Sequence, residues 1–143
     1  MDKPEFASAH MAALNPQQRA AVEAVHGPVL LLAVPGSGKT TVLITRLGYM
    51  AQVCGIPPQS ILTMTYTVAA TREMRARFAA RFGDALAGQL EFRTINGVAA
   101  RIVALYSRMY NRTPPDLIQN ENDTAPLLTR LWQETNHESP TES

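Results

Sequence analysis

The sequence predicts an α/β fold in which helices flank a parallel sheet. Three short apolar runs, at residues 29–34, 61–67 and 90–94, alternate with longer segments whose apolar side chains recur every three or four residues. This alternation is typical of parallel sheets, because each helix returns the chain to the same edge of the sheet. Residues 29–34 are apolar without interruption, which indicates a central strand covered on both faces.

The first helix is predicted by its start signals. Asn15 is a favourable N-cap, Pro16 suits the first helical position, and Gln18 stands where a capping box has its second partner. Three further helices are predicted at residues 38–54, 69–82 (ended by Gly83) and 98–109. After residue 113 a last helix follows, which Asp123 can cap.

The segment AVPGSGKT at residues 33–40 connects the first predicted strand to a helix. Its glycines let backbone N–H groups approach phosphate oxygens, Lys39 can reach the β and γ phosphates, and the Thr40 hydroxyl can bind Mg²⁺. The first glycine of the usual pattern is replaced by Ala33. We therefore predict nucleotide binding at the following residues: Pro35, Gly36, Ser37, Gly38, Lys39, Thr40 and Thr41.

Composition excludes several other classes of protein. The 143 residues are 45% hydrophobic and 17% charged, as in ordinary globular domains. No apolar run approaches the roughly 20 residues of a membrane span, and the first residues lack a signal peptide, so we expect a cytoplasmic protein. The single Cys54 excludes an internal disulfide, and the three histidines have no metal-ligand spacing, which indicates structural or solvated roles.

Charge is unevenly distributed along the chain. Eight arginines face three acidic residues between residues 69 and 112, for a local net charge of +5, and residues 113–143 carry −5. The basic middle suggests a polyanionic partner such as nucleic acid, although arginines on a helix are also typical of a plain solvated face.

Three further blocks surround the phosphate loop in a fixed order: LNPQQRAAV before it, then ILTMTYTVAATREM and FRTINGVAARI. Together they resemble the N-terminal part of the first RecA-like motor domain of superfamily 1 DNA helicases of the UvrD/Rep/PcrA type. The resemblance covers about residues 14–132. It implies a P-loop NTPase of the RecA-like fold that uses ATP and Mg²⁺, moves along single-stranded DNA and unwinds duplexes in DNA repair or replication.

The resemblance also divides the chain into expected regions. Residues 14–112 would form part of the RecA-like ATP-binding domain, and residues 113–135 a helical segment that begins an inserted subdomain. We expect residues 1–13 to be a disordered leader, which could derive from a vector, and residues 136–143 to be a disordered tail.

The resemblance assigns roles to particular side chains. Gln18 would read the adenine edge, although it could equally serve only in the capping box. Tyr66 would stack on a DNA base or, alternatively, pack in the core. Thr94 would contact the DNA backbone or cap the next helix. The complete set of expected DNA contacts is Thr65, Tyr66, Thr67, Arg72, Thr94 and Asn96.

Parts of the family pattern are missing from this sequence. Val68 and Ala69 replace an Asn-Lys pair, and Asn96 replaces a histidine. The sequence has no Asp-Glu dipeptide, which would hold Mg²⁺ in this family. The expected partner of this chain is the second motor domain, whose arginines would reach the γ phosphate. We therefore expect this chain to bind nucleotide without unwinding DNA. A small P-loop phosphotransferase and a non-enzymatic nucleotide-binding interaction module remain alternatives.

Overall fold

The computed structural model describes residues 1–113 and 121–136, apart from the side chains of residues 121–123. The chain divides into two compact units, Met1–Arg101 and a second that begins at Ile102, and each is described by itself. Most of the predicted tail, from residue 137 onward, lies outside the described residues. None of the described helices is both long enough and apolar enough to cross a membrane.

The first unit contains most of the secondary structure. In chain order the elements are α1 (Lys3–His10), α2 (Pro16–Glu23), α3 (Lys39–Gln52), a 3₁₀ turn (Pro58–Ser60), β1 (Leu62–Thr65), α4 (Val68–Phe82), α5 (Asp84–Ala87), β2 (Glu91–Thr94) and α6 (Ile95–Met109). Helix α6 continues across the division between the units, and α7 (Glu121–Asn136) lies in the second unit.

Strands β1 and β2 form a parallel pair, with helix α4 between them in the sequence. The register aligns Leu62 with Glu91 and Thr65 with Thr94. Phe78 on α4 is fully buried, and its ring centroid lies 5.9 Å from that of Phe92 in β2. The predicted alternation of strand and helix is therefore confirmed for this part of the chain, as a small parallel sheet covered by a helix.

The predicted central strand at residues 29–34 is wrong for the described part of the chain, where this segment forms no strand. Leu30 and Leu32 are each 82% exposed. A strand is held by hydrogen bonds to a neighbouring strand, and no described segment pairs with residues 29–34. An apolar run indicates a tendency to be buried, but a strand also requires a neighbouring strand to which it can form hydrogen bonds.

Helix boundaries follow the predicted signals more closely. The Asn15–Gln18 capping box is fully formed, Pro16 is the first residue of α2, and Gly83, with φ of 88°, ends α4. The exception is α7, which begins at Glu121, so Asp123 lies inside the helix and is not its N-cap.

The predicted disordered leader is also wrong, because residues 3–10 form helix α1. Asp2 caps this helix by accepting a hydrogen bond from the Glu5 N–H at 2.8 Å. Phe6 is fully buried, with its ring 5.5 Å from that of Tyr49 and 6.1 Å from that of Phe82. A terminus becomes ordered when apolar contacts tie it down.

Phe82 joins the two parts of the core. It packs against a cluster around Phe78 and Phe92 and also against the cluster that contains Phe6. A Cβ atom added to Gly48 on α3 would overlap the Phe82 ring. Helices α3 and α4 can therefore pack at this separation only because residue 48 has no side chain.

His10 has the structural role that the sequence suggests. Its ring lies 4.8 Å from that of Phe6 and 4.7 Å from that of Phe82, and its carbonyl oxygen accepts a hydrogen bond from Arg81. Burial lowers the pKa of His10, and the nearby Arg81 charge lowers it further.

Candidate nucleotide and nucleic-acid sites

The phosphate loop has the backbone geometry that anion binding requires. Gly36 and Gly38 have φ of 78° and 80°, a conformation that other residues rarely adopt. Gly38 is also the N-cap of α3 and provides no side-chain acceptor, so the first N–H groups of this helix can face a ligand. Ala33 does not have a positive φ, which explains why the loop accommodates it.

Lys39 and Ser37 make their hydrogen bonds within the loop. The Lys39 ammonium donates to the carbonyl oxygens of Ala33 and Val34, at 3.1 and 2.8 Å. The Ser37 hydroxyl donates to the same Val34 oxygen at 2.7 Å. Because charge-assisted bonds from an ammonium to phosphate are stronger than those to a neutral carbonyl, a phosphate can replace these acceptors.

Gln18 connects the capping box to the phosphate loop. Its Oε1 accepts a hydrogen bond from the Asn15 N–H at 3.0 Å, and its Nε2 donates to the Ser37 carbonyl oxygen at 3.1 Å. A side-chain amide has two acceptor positions and two N–H donors, so Gln18 keeps one of each. The capping role is confirmed, and the remaining donor and acceptor match the N7 and N6 groups of adenine.

A cavity of about 240 Å³ lies beside these groups, and Asn15, Gln17 and Leu31 contribute to its lining together with Gln18 and Lys39. Whole ligands are usually enclosed by pockets of roughly 300–1,000 Å³. The cavity formed by the described residues is therefore smaller than one that encloses a whole ligand.

Thr40 is half-buried in the first turn of α3, whereas Pro35 and Thr41 are exposed. Within residues 1–113 and 121–136 there is no group of three His, Cys, Asp or Glu residues that could hold a metal ion. A magnesium ion at this loop would therefore depend on the Thr40 hydroxyl and on phosphate oxygens.

Arg46 is structural, as its position inside a predicted helix suggests. Its Nη1 donates to the Ala21 carbonyl oxygen at 2.6 Å. This bond joins α3 to the last turn of α2, where carbonyl groups lack helical partners and a cation is favourable. Arg46 therefore holds α2, and with it Gln18, against the helix that follows the loop.

The predicted DNA contacts lie together at the carboxyl ends of the two strands. Thr65 and Thr94 are register partners at the last position of β1 and β2, and Tyr66 and Asn96 follow within two residues. Ligands of open parallel sheets bind outside the carboxyl ends of the strands.

The threonines at this edge have structural roles. The Thr65 hydroxyl donates to the Thr67 carbonyl oxygen at 3.1 Å, and the Thr67 hydroxyl accepts from the Ala70 N–H at the start of α4, also at 3.1 Å. Thr94 accepts from the Gly97 N–H at 3.0 Å, which confirms the alternative in which it caps the next helix.

Three other side chains at this edge are exposed. Tyr66 is 88% exposed, so the alternative in which it packs in the core is wrong. Arg72 on the first turns of α4 and Asn96 at the start of α6 are also exposed and form no hydrogen bond or ion pair within the described part of the chain. These side chains are free to contact a ligand.

Comparison with known proteins identifies the family. The protein-family profile of the UvrD/REP helicase N-terminal domain matches residues 14–143. The chain belongs to this family, whose domain supplies the N-terminal part of helicases.

Individual relatives agree with this membership. The ATP-dependent DNA helicase UvrD1 of Mycobacterium leprae is 40% identical over 122 residues, 85% of this chain and 16% of the relative. DNA helicase II of Escherichia coli is 35% identical over 86% of this chain and 17% of its own length. The ATP-dependent DNA helicase srs2 of Schizosaccharomyces pombe is 32% identical over 89% and 14%. The chain thus spans less than a fifth of the length of these relatives.

Proposed function

We propose that this chain is the first part of a RecA-like motor domain, and that it binds Mg·ATP at the phosphate loop. The observation that carries the proposal is the junction of three groups: the uncapped N-terminus of α3, the Lys39 ammonium beside it, and the Gln18 amide bonded to the loop. These groups match the phosphates and the base of one nucleotide.

In the proposed complex each group has a separate task. The N–H groups at the start of α3 and Lys39 bind the β and γ phosphates, and the Thr40 hydroxyl contributes to Mg²⁺. Gln18 keeps its bonds to Asn15 and Ser37 and uses its remaining donor and acceptor for adenine. Recognition of the base and the position of the loop are thereby coupled through one side chain.

The same proposal assigns the carboxyl ends of β1 and β2 to single-stranded DNA. Tyr66 stacks on a base, Asn96 donates to the backbone, and Arg72 supplies positive charge. In a complete helicase, closure of a second motor domain on ATP would move the protein along this strand and unwind a duplex.

The chain by itself is proposed to bind nucleotide with little turnover. Hydrolysis in this class of enzyme requires an acidic residue for Mg²⁺, a group that orients the attacking water, and an arginine finger. The described residues include only the proposed phosphate-binding elements, and relatives named as ATP-dependent helicases are several times longer than this chain.

Replacement of Lys39 by alanine tests the nucleotide site. We expect the affinity for Mg·ATP, measured by isothermal titration calorimetry, to fall at least about tenfold, because a charged hydrogen-bond partner of the phosphates is lost. Lys3→Ala on α1 is the matched control, since Lys3 is an exposed lysine paired with Glu23. Unchanged affinity in Lys39→Ala, or equal losses in both variants, would contradict the proposal.

A further inference from the structure

A second polar cavity in the first unit has a lining that shares no residue with the two proposed sites. It has a volume of about 430 Å³, and Gln59, Arg75, Gln89, Phe92 and Arg93 contribute to its lining. Gln59 and Gln89 precede β1 and β2, and the lining continues along β2 as far as Arg93. The proposed DNA contacts Tyr66 and Asn96 follow the carboxyl ends of the strands.

The Phe92 ring orients the Arg75 guanidinium in this cavity, and no described acidic side chain pairs with its charge. Its guanidinium carbon lies 5.4 Å from the centroid of the Phe92 ring, and Phe92 is buried in the core. Arg75 forms no hydrogen bond or ion pair within the described part of the chain. An arginine held by an aromatic face keeps its N–H donors available, and these donors match two oxygens of one phosphate.

Arg93 provides a second oriented cation. Its Nε donates to the Glu91 carboxylate, which also accepts from Arg101 at 2.5 Å. Hydrogen bonding from Arg93 is the largest cause that lowers the pKa of Glu91, so this carboxylate stays ionised and fixes the guanidinium. The charged lining residues are Arg75, Arg93 and Glu91, which leave a local charge of +1.

The open edge of β2 contributes backbone donors. The Glu91 N–H points toward β1, where it donates to the Ile61 carbonyl oxygen at 3.2 Å. Because successive residues of a parallel strand direct their N–H groups to opposite sides, the Phe92 N–H points away from β1. No described strand covers that side.

We propose that this cavity is a phosphate-binding site, in which Arg75 and Arg93 bind one phosphate group beside the open edge of β2. The ligand is a free phosphate or a phosphate of a nucleic-acid backbone. Carboxylate ligands fit less well, because their two oxygens lie in one plane, whereas the tetrahedral oxygens of a phosphate can face two guanidinium groups.

Nuclear magnetic resonance on the whole chain tests the site without interference from the phosphate loop. The side-chain Nε–H signals of Arg75 and Arg93 are followed during titration with inorganic phosphate and, separately, with a short oligothymidylate. We expect saturable shifts of both signals with at least one of these ligands. A response to phosphate alone supports the free-ligand source, and a response to the oligonucleotide supports the backbone source.

Two variants of α4 make the test specific. Arg75→Gln should lower the affinity read from the Arg93 signal about tenfold. Arg77→Gln removes the same charge from the same helix, but Arg77 is paired with Glu73, so affinity should be unchanged. The proposal is overturned if no shift saturates, if acetate shifts both signals at least as strongly as phosphate, or if Arg77→Gln weakens binding as much as Arg75→Gln. The Lys39→Ala variant should retain this binding, which separates it from the nucleotide proposal.

Discussion

The phosphate loop and the carboxyl edge of the sheet both follow apolar segments, but they differ in whether the side chains that stabilise the backbone are also those expected to bind ligand. In the loop, the side chains expected to bind ligand are the same ones that hold the loop together, namely Gln18, Ser37 and Lys39. At the sheet edge, the threonines hold the backbone, whereas Tyr66 and Asn96 project without partners in the described structure.

This difference predicts how each site responds to substitution. A change in the loop should alter both the local structure and nucleotide binding, because one set of hydrogen bonds serves both. A change at the sheet edge should alter either stability or DNA binding, depending on which side chain is replaced. The following substitutions test this distinction between the two sites.

Tyr66→Ala should have the largest effect on DNA binding. Loss of one stacking surface should weaken binding of single-stranded DNA by about 1–3 kcal/mol, with little change in the free energy of unfolding. Fluorescence anisotropy of a labelled oligonucleotide at two salt concentrations measures the affinity, and binding should weaken as salt rises.

Tyr110→Ala is the control for this prediction, since Tyr110 is an exposed tyrosine in the second unit. Equal losses in the two variants would mean that Tyr66 has no special role. Absence of DNA binding by the unmodified chain even at low salt would count against a strand site on this edge.

Substitution of Gln18 separates its two functions. Gln18→Ala should lower the free energy of unfolding by about 0.5–1.5 kcal/mol for each of the two hydrogen bonds that its side chain makes, and it should also weaken ATP binding. Gln18→Glu keeps a capping-box acceptor but loses the amide donor to Ser37, so ATP affinity should fall with stability retained. Denaturant unfolding and calorimetry measure the two quantities.

Gln17→Ala provides the comparison for Gln18, because Gln17 lines the same cavity without a hydrogen bond in the described structure. Gln17→Ala should change neither the free energy of unfolding nor the affinity for ATP appreciably. If Gln18→Glu binds ATP as well as the unmodified chain, the proposed coupling between base and loop is wrong.

Thr67→Ala should lower stability and leave DNA binding nearly unchanged, which is the reverse of the result expected for Tyr66→Ala. Removal of the N-cap of α4 should lower the free energy of unfolding by about 1 kcal/mol, since the Ala70 N–H loses its acceptor. Thr67→Ser keeps the hydroxyl and should restore stability. Affinity for single-stranded DNA should be nearly unchanged in both variants, and a large loss in Thr67→Ser would assign the threonine to the ligand.

His10 should give the smallest effect, as a dependence of stability on pH. Its pKa is lowered in the folded state, so the unfolded chain takes up the proton first as pH falls. The contribution of His10 is therefore complete above about pH 6.5 and is lost as the pH falls below that value. Arg81 on α4 is the charged group that faces it.

Thermal unfolding between pH 5.5 and 7.5 measures this dependence. His10→Gln should reduce the slope, whereas His26→Gln, at an exposed position outside the helices, should leave it unchanged. Equal slopes in the unmodified chain and in His10→Gln would show that protonation of His10 is not linked to folding.

Local signals in the sequence predict local structure well. The Asn15–Gln18 capping box and the end of a helix at Gly83 depend on neighbouring residues, and both form as predicted. Thr65 and Thr94, which the resemblance assigns to DNA contacts, lie at adjacent strand ends in the structure. These features need only the chemistry of a few consecutive residues and the alternation of strand and helix.

Features that depend on distant partners could not be predicted from the sequence. Residues 29–34 have the composition of a strand, but pairing requires a neighbour elsewhere in the chain. Helix α1 is fixed by Phe6 against Tyr49 and Phe82, residues far away in the sequence, although the Asp2 cap was a signal that could have indicated a helix. The free orientation of Arg75 likewise depends on Phe92.

The close approach of α3 and α4 at Gly48 and Phe82 has an evolutionary consequence. A larger residue at position 48 is compatible with this packing only if the ring at position 82 becomes smaller. Homologous sequences should therefore show correlated variation at these two positions, in which side-chain volume is exchanged between the helices. Such covariation would be readable from sequence families without any further structure.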